Sequence, residues 1–582
     1  MRECRILVVD GFEDFAVALG AELGARRKVY VARNAEQAKR LVDAAVPLDL
    51  AVIEQRLQSP GDRFDISGVE LGHWLKTEKG AYVVLLCGQR PQNGLVDTWI
   101  RNKWIDECQL KTMRADQRHE HLEQVLAEKI PVNFDLDIQG EHGSILDDEW
   151  RQLARAIEPL DGEENATPSW RDLEQIFYRL FPKKFVQSVK ILPVPSGAGG
   201  AGVALAEVTH LATDLVESLI VKYGHQRAVR TEDDKFQRYV APLGPRGIAL
   251  PRWSSRWRGL AAIAYSVVQS ASRRPCPTLA DYLRRPDCTS KDEVFLIEAL
   301  FFDIFRPWYD AFCRSMAAKT AVDPDAPLIS HWIENLWAHR TATQAMEKLD
   351  SLPDEMQELG MNFDDGGRVA TRLGNQLVTV QDPVHFVRSH AFEATPKAGP
   401  LCLVHGDLHP RNIFVLGQGP CVIDFADVHA GHPFRDFATL EASIRFSVLY
   451  DFSQHQEQEL WQVEQDLVGS FFSPDWTALR AHPATLEQAI RLTHEIRSRA
   501  SWLSKRLPEW EAHYALSLMF CLLKIAGARR ISGSEHDDHA KQRRKLAFLA
   551  AGGLLNRCEA LFAGSSTSAR SGTVARRPTD NL

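Results

Sequence analysis

The chain has no excess of positive charge: 69 Lys and Arg stand against 77 Asp and Glu, a net charge of −8. No chain-wide basic field exists to draw in a polyanion, so nucleic acid is not expected as a partner. Ten cysteines are scattered without a CxxC pair or other metal-ligand spacing. That pattern excludes a zinc module or a disulfide scaffold and predicts reduced thiols, hence a cytoplasmic protein. Long apolar runs are missing as well. The most apolar helical stretch, YALSLMFCLLKIAGA from Tyr514, is interrupted by Lys524 and reads as a buried helix, with no membrane association. The start MRECRILVVDG is too short in its apolar part, and too acidic afterwards, for a signal peptide. The tail over 563–582 is poor in apolar residues and is expected to be disordered.

What is present is ordinary for globular protein: 582 residues, 45% hydrophobic and 25% charged. Such a length predicts about three to five domains. The expected class is multidomain, α/β followed by α+β, with boundaries at 1–128, 129–182, 183–270 and 271–562.

Over 1–128 strand-like and helix-like segments alternate: RILVVDG, FEDFAVALGAELGA, KVYVAR, NAEQAKRLVDAA, LDLAVIEQRL, GVELGHWLKTEKG and AYVVLLCGQ. This rhythm predicts a doubly wound parallel, flavodoxin-like sheet whose functional residues lie at the carboxyl ends of its strands. Asp10, Glu54, Cys87 and Lys111 fall there.

Farther along, HGDLHPRNIF (His405 to Phe414) is followed by VIDFAD around Asp424. The segments IFVL and CVI read as two short strands joined by GQGP. That hairpin would bring Asn412 and Asp424 to one end of a pocket, with Asp407 close by. Phosphoryl transfer needs a positioned nucleophile and neutralised phosphate charge, for which these residue types suffice. Asp407 can accept a hydroxyl proton, and Asn412 and Asp424 offer the hard oxygen ligands that Mg²⁺ prefers.

HGDLHPRN with IDFAD resembles the catalytic and metal loops of the aminoglycoside phosphotransferase and choline kinase group, relatives of protein kinases. Gly431, Pro433 and Asp436 continue the resemblance. It implies a two-lobed protein-kinase-like fold using ATP and Mg²⁺. In it Asp407 is the catalytic base, Asn412 and Asp424 hold metal, and His405 and Asp436 brace the loop. His409 is expected as a further loop brace, with Arg411 carried on the same loop.

The small lobe is expected over 183–270: strand VQSVKILPV, turn PSGAGGAG, then strands VALAEVTH and ESLIVKYG. Gly197, Gly199, Gly200 and Gly202 would let backbone N–H groups approach phosphate oxygens. Lys222 sits where kinases keep the strand lysine that contacts the α- and β-phosphates. Its partner is assigned to Glu232, with Asp233 and Asp234 beside it. By the same resemblance Val268 to Ser270 form the hinge that reads adenine. The large lobe carries an insertion around 320–400 in which MNFDDGGRVATRLGNQLVTVQ alternates as a strand pair. Substrate-binding insertions of the small-molecule kinases occupy this region, so it is expected to choose the acceptor.

The N-terminal set resembles a degenerate response-regulator receiver. Glu54 occupies the phosphoacceptor position, Cys87 replaces the hydroxyl residue, Lys111 is retained and Gly11 follows Asp10 where a second acid is usual. Glu13 and Asp14 are close by. With one acid missing, weak Mg²⁺ affinity and phosphorylation-independent docking of an unknown protein partner, or of a second copy as a homodimer, are expected. Over 129–182 a strand near Phe134 to Ile138, a helix near Asp147 to Ile157 and a helix capped by Ser169 form an adaptor or a spacer.

The combination also resembles the kinase-like ternary-complex-associated domains of bacterial conflict systems and suggests bacterial signalling. The leading expectation is a phosphotransferase with an unknown protein or small-molecule acceptor. The alternatives are a nucleotide-binding pseudokinase scaffold and a phosphorelay response regulator whose receiver is the working part.

Overall fold

The computed structural model describes the chain except residues 1–2, 25–26, 44–47, 60–61, 63, 90, 92–93, 141–142, 158–168, 195–200, 214–215, 245, 267–276, 316–327, 336–340, 391–400, 418, 471–481, 506, 508–509, 529–536 and 571–582. It divides into two compact units, Met1–Arg230 with Leu250–Val267, and Thr231–Ala249 with Val268–Leu582. No helix of the described residues is long and apolar enough to cross a membrane.

The first unit opens with β1 (Cys4–Val9), α1 (Glu13–Leu23), β2 (Arg27–Ala32), α2 (Ala35–Asp43), β3 (Leu50–Glu54), α3 (Ser67–Lys79), β4 (Tyr82–Cys87), α4 (Leu95–Arg101), β5 (Glu107–Leu110) and α5 (Ala115–Gln124). All pairings are parallel, in the order β2-β1-β3-β4-β5. This is the expected doubly wound, flavodoxin-like sheet. Its central strands LAVIE and YVVLLC are buried almost throughout, because helices cover both faces and leave no solvated side for polar alternation. Helix α3 stops at Gly80, whose φ of 64° supplies the left-handed turn that releases its last carbonyls.

Residues expected to be a linker build part of a second sheet. Strands β6 (Asp137–Gly140) and β7 (Gly143–Ser144), helices α6 (Asp147–Arg155) and α7 (Trp170–Leu180), and strands β8 (Val186–Val194), β9 (Ala201–His210) and β10 (Val216–His225) follow in turn. Helix α8 (Gln226–Lys235) leads to β11 (Leu250–Trp257) and β12 (Leu260–Ser266). The seven strands run β11-β12-β10-β9-β8-β6-β7. Ser169 caps α7 by accepting from Arg171 N–H, and α7 is sewn to β11 by Ser255 Oγ donating to Ile176 O (3.0 Å) and Trp257 Nε1 donating to Asp172 (3.0 Å). One apolar core runs from β1, α1 and α5 through Leu136, Ile138, Trp150 and Phe177 to β8, β9, β10 and β12.

The second unit is mainly helical: α9 (Leu279–Leu283), α10 (Ser290–Glu298), α11 (Arg306–Ser315), α12 (Leu328–Asn335) and α13 (Ala342–Gln357). The alternating segment forms a three-stranded antiparallel sheet, β13 (Asn362–Phe363), β14 (Arg368–Leu373) and β15 (Gln376–Gln381), followed by α14 (Pro383–His390). Then come β16 (Cys402–Val404), β17 (Ile413–Leu416), β18 (Gly419–Val422) and β19 (His429–Gly431). Helices α15 (Phe434–Ser443), α16 (Glu457–Gly469), α17 (Ala484–Ala500), α18 (Trp510–Ala526) and α19 (Asp537–Arg570) complete it. Helix α19 continues through Arg570, so 563–570 are helical where disorder was expected; the rest of the tail lies outside the described residues.

Candidate functional site

The second unit gathers the HGD and IDFAD residues around two short strand pairs. Strands β17 and β18 pair Ile413 with Val422, and Ile423 N–H donates to Asn412 O at 3.0 Å. The hairpin thereby sets Asn412 beside the residue preceding Asp424. Strands β16 and β19 pair Val404 with His429 and hold the other side of the loop.

The loop is fixed chiefly by Asp436, a fully buried carboxylate on α15. It accepts from His405 N–H (2.9 Å), Gly406 N–H (3.0 Å) and Tyr309 O–H (3.3 Å). Burial pushes its carboxyl upward, and the His405 and Gly406 amides and nearby cations oppose that shift. Arg435, next to it, donates from Nε to Gly406 O at 3.0 Å. Gly406 has φ 85°, and a Cβ there would lie 2.3 Å from Asp427 O, so glycine is required by conformation and by space. His405 is also a brace: its Nε2 donates to Ile423 O at 2.9 Å, with its ring between Phe305 and Phe425.

Asp407 projects from this loop with its side chain 31% exposed. Its Oδ1 accepts from Lys524 Nζ at 3.0 Å, and His409 Nε2 lies 3.5 Å from its Oδ2. Burial would raise the Asp407 carboxyl, but the Lys524 ammonium and His409 outweigh it and hold it well below the usual carboxylate range. Asp407 in turn raises Lys524 against the opposing effect of burial. Burial lowers His409, with Asp407 and Asp424 opposing.

Asn412 donates from Nδ2 to Asp407 O at 3.0 Å, which commits the amide nitrogen inward and leaves Oδ1 as the acceptor atom of its side chain. Asp424 adopts φ 66°, a left-handed conformation that Asp tolerates better than most residues. Among the described residues no three His, Cys, Asp or Glu side chains cluster as metal ligands. Asn412 Oδ1 and the Asp424 carboxylate are hard oxygen donors of the kind that fits Mg²⁺, which typically takes one or two protein oxygens plus phosphate and water. Around Asp424, Phe425 N–H donates to Glu232 Oε1 (3.2 Å), Phe425 packs on Phe236 at 5.2 Å, and Lys235 Nζ donates to Ala426 O.

Lys524 is the functional residue that the sequence does not announce: in YALSLMFCLLKIAGA it reads as an interruption of a buried helix. The available signal was a charge in an otherwise apolar stretch, since a sheltered ammonium requires a counter-charge. Arg435 and Tyr309 carried no comparable signal.

Gly197, Gly199, Gly200 and Val268 to Ser270 lie outside the described residues. Gly202 departs from expectation: it lies within β9 opposite Tyr223, and a Cβ there would come 2.4 Å from the Tyr223 ring. Its glycine is explained by that aromatic packing and not by a phosphate turn. Lys222 lies on β10 between Val203 and Ile263 in the first unit, whereas Glu232 belongs to the second.

In the parallel sheet Asp10, Glu54, Cys87 and Lys111 all lie at the carboxyl end, as expected. Lys111 Nζ contacts Asp10 Oδ2 at 2.7 Å and Glu54 Oε1 at 3.0 Å. Gly11 N–H donates to Glu54 Oε2 at 3.1 Å, and the rings of Phe12 and Phe15 stand 4.8 and 4.6 Å from the ammonium. Burial raises the Asp10 carboxyl, opposed by Lys111. Glu13 does not join this pocket; it pairs with Arg33 at the surface. Both oxygens of Glu54 are thus engaged within the pocket.

A family model described as Ternary complex associated domain 9 matches residues 364–523. The match takes in Asp407, Asn412, Asp424 and Asp436 and ends one residue before Lys524. No curated protein matches the chain. Among solved structures, a response regulator receiver domain protein from Methanospirillum hungatei is 19% identical, covering 22% of this chain and 96% of its own, with a TM-score of 0.19. A response regulator from Thermotoga maritima, solved with Mg²⁺ and a beryllium fluoride, is 25% identical over 21% of this chain and 98% of its own, with a TM-score of 0.18. At those scores the assignment of the N-terminal fold rests on the strand order and parallel pairing.

Proposed function

We propose that the chain is a Mg-ATP-dependent phosphotransferase of the aminoglycoside phosphotransferase and kinase-like type, acting in bacterial signalling. The observation that carries the reading is Asp407, braced by Asp436 through the His405 and Gly406 amides, with Asn412 and Asp424 set by one hairpin. Asp407 would orient the acceptor hydroxyl and take its proton. Its depressed basicity suits a group that positions the hydroxyl and receives the proton late, as phosphoryl leaves ATP. Lys524 would keep Asp407 ionised and add positive charge where phosphate oxygens approach. Mg²⁺ bound by Asp424 and Asn412 Oδ1 would supply neutralisation of the phosphate charge. For Lys222, with Glu232 as its partner, the role at the α- and β-phosphates rests on the resemblance to kinases alone.

The receiver-like sheet is proposed as a phosphorylation-independent docking or regulatory module, because Lys111 already engages both Asp10 and Glu54. A second reading, a nucleotide-binding pseudokinase, is favoured by the ion pair that ties up Asp407. Transfer of the γ-phosphoryl group from labelled ATP, compared between wild type and Asp407→Asn, separates the two. Label reaching protein or a hydroxylated acceptor, and falling about 10²- to 10⁴-fold in the variant, supports the enzyme. ATP binding without transfer in either form supports the pseudokinase.

A further inference from the structure

Cys87 and Cys108 face each other at the working end of the parallel sheet, with sulfurs 3.0 Å apart. Cys87 is the last residue of β4 and fully buried, whereas Cys108, on β5, is partly exposed. The strands pair Leu85 with Cys108 and Cys87 with Leu110, so the thiols converge diagonally. A cavity of about 580 Å³ reaches Cys108 and is lined by Val96, Ile100, Leu110, Met113 and His121 among others. A small solute can therefore approach the Cys108 sulfur, with Cys87 behind it. The neighbouring Cys108 sulfur and burial both push the Cys87 thiol upward. Cys108, the partly exposed member that the cavity reaches, is therefore the sulfur that meets a solute first, with the fully buried Cys87 sulfur 3.0 Å from it.

We propose that Cys87 and Cys108 are an oxidant-responsive dithiol, converted to a disulfide by small hydroperoxides. The Cys108 thiolate attacks the outer peroxide oxygen, forming a sulfenic acid as the O–O bond breaks; the Cys108 proton ends on the departing alcohol or water. The Cys87 sulfur then attacks the Cys108 sulfur, forming the S–S bond and expelling hydroxide, which leaves as water with the Cys87 proton. The two thiols lose two electrons and two protons, and the peroxide is reduced to one alcohol, or water, and one water.

A disulfide requires a sulfur separation of about 2.05 Å, so bonding brings the two sulfurs about 1 Å closer and loads the ends of β4 and β5 that carry them. The carbonyl of Cys87 accepts from Lys111 N–H at 2.8 Å, and Lys111 holds Asp10 and Glu54. Oxidation therefore reaches the receiver-like pocket through the backbone next to its only described lysine partner, without using a phosphoryl group.

The test treats the full chain with stoichiometric hydrogen peroxide, then maps non-reduced peptides by mass spectrometry and follows amide hydrogen exchange. The expected result is a Cys87–Cys108 cross-linked peptide lighter by two hydrogens, reversed by dithiothreitol, with altered exchange at Lys111. Cys108→Ser should leave Cys87 a free thiol, and Cys87→Ser should leave Cys108 as a sulfenic acid that dimedone traps, going on to sulfinic acid only with excess peroxide. Cys108 carried to sulfinic acid in the wild type while Cys87 stays a thiol overturns the proposal. So does oxidation of other cysteines with this pair untouched. Exchange at Lys111 unchanged by a formed disulfide overturns the coupling to the pocket.

Discussion

Lys524 Nζ lies 3.0 Å from Asp407 Oδ1, although the two residues are 117 positions apart in the chain. The lysine comes from the end of the apolar helix α18 and the aspartate from the loop after β16. Helix α18 packs on α15, which carries Asp436, so one helical pair braces the loop and delivers a cation to its acid.

Replacing Lys524 by Met should lower turnover on the order of 10²-fold if its charge acts on the developing phosphate. Asp407 is held below its ordinary range by this lysine, so removing it shifts the carboxyl upward. The acid limb of the kcat/KM profile should then move to higher pH. An unmoved limb would show that Asp407 is not the group reporting that ionisation.

Asp424→Asn should abolish Mg²⁺-dependent nucleotide binding and turnover while leaving the melting temperature close to wild type. Asn tolerates the left-handed conformation that Asp424 adopts, so the backbone cost is small. Titration of nucleotide with and without Mg²⁺ reads this directly. Unchanged Mg²⁺ dependence removes the metal role from Asp424.

Asp436→Ala should destabilise the second unit by about 2–6 kcal/mol, because it strands two buried amide donors at about 1–3 kcal/mol each. Urea unfolding measures it. A loss below about 1 kcal/mol would mean that water replaces the carboxylate.

The second unit should lose stability in mild acid. His331 and His513 are lowered to about 4 and His429 to about 3, all by burial first, and burial also pulls His432 well down. These rings stay neutral when folded but take protons near pH 6.5 when unfolded, so the unfolded state binds more protons below that value. Their stability is complete above pH 6.5 and is lost as pH falls toward 4, at up to about 1.4 kcal/mol per pH unit for each ring. Melting temperatures between pH 8 and 5 test this. A flat profile would show that the rings accept protons within the fold.

Glu54→Gln should weaken the contact with Lys111 without changing nucleotide affinity. If instead a phosphorylated species present in wild type disappears, the receiver-like pocket is a working phosphoacceptor.

Much of this architecture is legible locally. The buried runs LAVIE and YVVLLC, separated by helix-length segments, announce a parallel sheet because each strand must hide both faces. The spacing of Asp407, Asn412 and Asp424 is legible because a tight hairpin leaves few ways to arrange them. Gly202 misled because a glycine in a Gly-rich run looks like a turn. Only the partner strand shows that the Tyr223 ring fills its missing side chain.

By itself, then, the sequence determined the order of elements and the short-range sets: the loop, the hairpin and the strand-end residues of the parallel sheet. These follow from hydrophobic period and turn chemistry within a few neighbouring residues. Tertiary structure alone decided that Lys524 meets Asp407, that Cys87 meets Cys108, and that the residues over 129–182 join a sheet. Those pairings depend on which helix faces and strand registers pack together, and that choice is made by burial summed over the whole core.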